Sequence, residues 1–135
     1  MTERERHERA CVFARAEAGK LLERFGLHGW HITWVFVQAD MIECRQESGN
    51  DIGVWATVIP DTHRHEITIT LATLRPLAAI RQTLKHELAH VLLEPLWRFV
   101  QRMIWRAPKA AQAVLRAELQ EILEQTVSDV TRAVR

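Results

Sequence analysis

The chain has 135 residues, of which 47% are hydrophobic and 26% charged, with 18 Lys and Arg against 17 Asp and Glu for a net charge of +1. That length and balance predict one globular domain, residues 1–135, with a single core and no separate recognition module. The two signs are interspersed, which argues against a basic field for nucleic acid. No run approaches the roughly 20 apolar residues of a membrane span, and the charged opening Thr2–Arg9 leads into no signal core, so a cytoplasmic protein is expected.

From Glu3 to Phe25, Ala10, Phe13, Ala14, Leu21, Leu22 and Phe25 recur at helical spacing among Arg, Glu and Lys, and Gly26 is placed to end the helix. Trp30, Ile32, Trp34 and Phe36 alternate with His31, Thr33, Val35 and Val37 in a β-prone run, the first strand, whose two faces are both expected to be covered. Gln38–Asp51 is polar and reads as a long, mobile connection, with room for a short strand at Met41–Cys44. Ile52–Ile59 and Glu66–Leu71 are β-prone on either side of Pro60-Asp61-Thr62-His63, which predicts a hairpin. Thr73 is placed to cap a helix whose first turn contains Pro76 and which should stop before Pro95. A shorter helical piece, Leu96–Trp105, precedes Pro108, and a last amphipathic helix starts near Lys109. The class is α+β: an N-terminal helix, a small three-stranded sheet, a motif helix and C-terminal helices. Cys11 and Cys44 lack the spacing of a metal or redox pair and read as free thiols.

Chemistry concentrates in Thr83-Leu84-Lys85-His86-Glu87-Leu88-Ala89-His90-Val91-Leu92, which contains an HExxH motif. On a helix, residues four apart share a face, so His86 and His90 can turn their imidazoles toward one ion. Glu87 borders that face and can reach a water on the ion, the position of a general base. Leu84, Leu88, Ala89, Val91 and Leu92 are uncharged where such a helix would pack into a core. Without a metal, a buried pair of histidines beside a glutamate would be costly.

Catalytic zinc takes three protein donors and leaves a position for water. Glu94 lies about 12 Å along the axis from His86 at ~1.5 Å per residue, too far to share an ion with it. No histidine follows His90, so the third donor must be a carboxylate from downstream. The last helix offers Glu118, Glu121 and Glu124. Relative to its stripe of Leu115, Leu119, Ile122, Leu123, Val127 and Val130, Glu121 projects nearly opposite, while Glu124 and Glu118 flank it. Glu124 is the leading candidate and Glu118 the next.

The motif segment resembles the extended zinc-peptidase signature, and Leu123-Glu124-Gln125-Thr126-Val127-Ser128-Asp129-Val130 looks like the second helix of the gluzincins, where a glutamate ligand is followed by an apolar position and a supporting aspartate. The layout from Trp30 onward is similar to minimal gluzincin-like metallopeptidases, including small phage- and prophage-encoded proteins. This resemblance implies a zincin-like fold, a Zn2+ ion and a peptide or protein substrate. It also implies that the strand before the motif helix, Glu66–Leu71, is the sheet edge that aligns an extended substrate. Such enzymes often add an oxyanion donor; with no tyrosine in the chain, His63 and His65 are the candidates. His7, His28 and His31 have no motif context. The five tryptophans read first as core or groove lining, with an exposed partner patch as the alternative for Trp97 and Trp105, which follow the motif helix. The competing readings are a zinc-binding regulatory or interaction protein without turnover, and a structural component whose motif is accidental.

Overall fold

The computed structural model describes residues 1–45 and 51–135, in the order α1 (Glu3–Arg24), β1 (His31–Val37), β2 (Ile42–Arg45), β3 (Asp51–Val54), β4 (Ala56–Asp61), β5 (Glu66–Ala72), α2 (Leu77–Trp105) and α3 (Lys109–Ala133). The α+β class and the three-stranded sheet are as the sequence predicts. Among the described residues no helix is long and apolar enough to cross a membrane.

Helix α1 opens with a reciprocal cap: the Glu5 N–H donates to the Thr2 hydroxyl, and the Thr2 N–H donates to the Glu5 carboxylate. It ends at Phe25 and Gly26, whose φ of +70° is the left-handed conformation that glycine adopts without a Cβ penalty. Its buried face carries Ala10, Ala14 and Ala18, small residues that let a neighbouring helix approach closely. Glu17 on the same face is buried and accepts from the Arg81 guanidinium of α2 at 2.6 Å, so its charge is compensated.

The sheet order is β1-β5-β4, with β1 parallel and β4 antiparallel to β5. Glu66–Ala72 is therefore the central strand, not the edge that the resemblance implied. Its position follows from burial, since Ile67, Ile69 and Leu71 are fully buried and a strand of this pattern is best flanked on both sides. The expectation that β1 is covered on both faces is also corrected: Ile32, Trp34 and Phe36 pack against the core, while His31, Thr33 and Val35 face solvent. The hairpin between β4 and β5 forms as predicted. The Asp61 carboxylate accepts from the backbone N–H groups of His63 and Arg64 and so fixes the turn.

The run Ile52–Ile59 is not one strand. It bends at Trp55, and β3 turns away to pair antiparallel with β2, so the segment read as a long connection contributes a second, two-stranded sheet. The mobile loop expected within Gln38–Asp51 falls partly on residues 46–50, outside the described residues.

Helix α2 starts after Pro76, and Thr73 does not cap it; the Thr73 hydroxyl donates to the Val37 carbonyl and lies 2.6 Å from His7 Nδ1. The helix runs through Pro95 as one 29-residue element, joining the two pieces read separately. An interior proline removes one backbone hydrogen bond and costs about 3 kcal/mol. Here Leu93, Leu96, Trp97 and Val100 line an apolar recess with Leu119, Ile122 and Leu123 of α3, and Leu93 and Leu123 pack against the core. The core unites Ile80, Leu84, Leu88 and Val91 of α2 with β5, α1 and Val127 of α3.

Candidate metal centre

With the core face of α2 set by Ile80, Leu84, Leu88 and Val91, a rotation of about 100° per residue turns His86 and His90 to the opposite side of the helix. Glu87 falls between the two faces. Helix α3 packs over the histidine side and presents Glu124 there. His86 Nε2 lies 3.3 Å from His90 Nε2, and Glu124 carboxylate oxygens lie 3.8 Å from His86 Nε2 and 3.5 Å from His90 Nε2. Two donors bound tetrahedrally to zinc at about 2.0–2.1 Å would stand roughly 3.3 Å apart, so the trio is close to that geometry. His86, His90 and Glu124 thus form a group that could hold a metal ion. The three side chains are 38%, 25% and 47% exposed, leaving an open side for a further ligand.

Of the other carboxylates considered, Glu118 and Glu121 are exposed and outside this group. Glu94 accepts from Arg98 at 2.9 Å. Asp129, the expected supporting aspartate, is taken by Gln125 and Arg132 on the exposed side of α3. The loop histidines lie elsewhere. His65 stacks on Trp30 with ring centroids 5.0 Å apart, and His63 borders a recess with Pro95, Arg98 and Trp105. Neither lines the cleft beside the histidine pair.

That cleft has a volume of about 640 Å³ and is bounded by Trp55 and Ala56 at the start of β4, by Arg75 just before α2, and by Thr83, His86 and Glu87. Trp55 and Arg75 carry no motif, and sequence reasoning missed Arg75 altogether. Trp55 is half exposed, as groove lining would be, and Trp105 is 72% exposed.

Burial, with the Glu124 carboxylate adding to it, pushes the Glu87 carboxyl up to about 7. Burial also lowers His90, outweighing the attraction of Glu124, and so favours the neutral imidazole that a metal requires. Because the Glu87 value in the folded chain lies above the ordinary 4.5, its contribution to stability is complete below about pH 4.5 and is lost as pH rises through 7. In chelator-treated protein, Glu87→Gln should therefore gain stability over wild type as pH rises from 5 to 8, reaching on the order of 3 kcal/mol at the upper end. Denaturant melts at several pH values read this directly, and a pH-independent difference would contradict the burial.

Comparison with family models, with curated proteins and with solved structures finds no match.

Proposed function

We propose that this chain is a zinc-dependent peptidase in which His86, His90 and Glu124 hold the ion and Glu87 is the general base. The observation that carries this reading is the convergence of three donors from two helices at near-tetrahedral spacing, with a partly buried carboxyl one residue from a ligand and a cleft beside it. Two imidazoles and a carboxylate are a donor set that suits zinc and leaves a fourth position open. Bound there, zinc supplies Lewis acidity that acidifies water and polarises a carbonyl.

Glu87 does the proton work. As a carboxylate it accepts a proton from the attacking water while the water oxygen bonds to the peptide carbon. It then delivers that proton to the amide nitrogen as the C–N bond breaks, leaving an acid and an amine. An extended substrate fits the free edge of β4, which pairs with β5 on one side and whose start borders the cleft. The edge role assigned by resemblance to Glu66–Leu71 thereby passes to Ala56–Asp61.

Elemental analysis of protein purified without added metal tests the reading. About one zinc per chain is expected, and protein that folds without zinc and fails to take it up on titration would refute the proposal.

A further inference from the structure

Arg75 occupies the cleft next to the histidine pair without belonging to the donor set or the core. Its guanidinium lies 4.1 Å from the Trp55 ring centroid, and Nη1 donates to the Thr83 hydroxyl at 2.8 Å. Trp55 and Thr83 thus hold the planar fork from its face and from one corner. A guanidinium has five N–H donors, and stacking leaves its in-plane edge to meet an acceptor. Among the described side chains, which leave out those of residues 44–53, no carboxylate lies within ion-pairing distance of Arg75. Elsewhere in the molecule the partly buried arginine is neutralised, as Arg81 is by Glu17. A cation fixed in a cleft with its edge open is arranged for an anion brought by the ligand.

The distance suits a peptide. Thr83 precedes the level midway between His86 and His90 by about 7–8 Å along the helix axis, at ~1.5 Å per residue. An extended chain covers that in roughly two residues, at ~3.3 Å each.

Resting on the peptidase reading, we propose that Arg75 is the specificity determinant of the cleft, seating a substrate carboxylate about two residues from the bond to be cut. The shared chemistry is a carboxylate, supplied by a Glu or Asp side chain or by a free C-terminus. Charge-assisted hydrogen bonds to a stacked guanidinium discriminate against a neutral isostere by about 10- to 100-fold.

The test measures binding, separately from turnover. Labelled hexapeptides with a single Glu, Gln or Lys at each position in turn, C-terminally free or amidated, are titrated by fluorescence anisotropy into Glu87→Gln protein, with zinc and with chelator. The expected result is binding at least about tenfold tighter for Glu than for Gln at one position, or for the free over the amidated terminus; which of the two arms responds identifies the carboxylate. Adding Arg75→Gln should abolish the preference, and Arg75→Glu should reverse it toward Lys, a gain that misfolding cannot imitate. Indifference to peptide charge, or a preference that survives Arg75→Gln, overturns the proposal. Zinc content and hydrolysis by the wild-type protein are read independently. Hydrolysis without charge preference would sink this inference alone, whereas charge preference in a protein that takes up no zinc would sink the peptidase reading and leave Arg75 as a carboxylate-binding residue with no bond to cut.

Discussion

Glu87→Gln protein is expected to retain one zinc per chain and to lose peptide hydrolysis by about 10²–10⁴-fold, the usual contribution of a positioned general base. Glutamine keeps the shape of the side chain and is neutral, so it cannot accept the water proton. Glu87 lies outside the group formed by His86, His90 and Glu124, which is why zinc should be unaffected. Its placement between the core face and the ligand face of α2 gives the substitution a second signature. A partly buried carboxyl raised to about 7 is easily neutralised, so Gln should not destabilise the fold, and the activity loss cannot be traced to unfolding. Hydrolysis of a peptide library at equal zinc content decides the matter: undiminished cleavage by the Gln variant would remove Glu87 from the mechanism.

The parts of this site that lie within one helical turn were readable from the sequence. His86, Glu87 and His90 are related by helix geometry alone, and the apolar residues at 84, 88 and 91 fix which side of α2 is buried. Glu124 needed one further step, the phase of the α3 stripe, which separated it from Glu121 but not decisively from Glu118. Sheet order was not readable, because β1 and β5 are brought together with partners 35 residues apart, as in His31 and Glu66, and the pairing of β5 on both sides is a tertiary outcome. The continuity of α2 through Pro95 was hidden for a related reason: proline's local preference is to end a helix, and the lie of α3 alongside the same stretch is a tertiary feature that no local rule supplies. Arg75 was invisible because the cleft that gives it meaning is made by Trp55 and Thr83, and no spacing rule connects them.

Zinc should act as a clip between α2 and α3, and thermal stability should depend on it. Val127 is the one fully buried residue of α3, so the helix is held by a thin apolar seam and by what Glu124 contributes. An ion bound by His86 and His90 on one helix and Glu124 on the other binds the docked arrangement and not the unfolded chain. At a free zinc concentration about 100 times the dissociation constant, this linkage stabilises the fold by about 2.7 kcal/mol, a rise in Tm of several degrees for a domain of this size. Scanning calorimetry with buffered zinc and with chelator is the measurement. In Glu124→Ala the rise should shrink or vanish at the same zinc concentration, in His86→Ala it should be absent, and in Glu118→Ala it should match wild type. The chelated forms of Glu124→Ala and wild type should melt close together, because a half-exposed carboxylate contributes little without the ion. If Glu124→Ala keeps the full zinc-dependent rise while His86→Ala loses it, the third donor lies elsewhere and α3 is packing for the site rather than part of it.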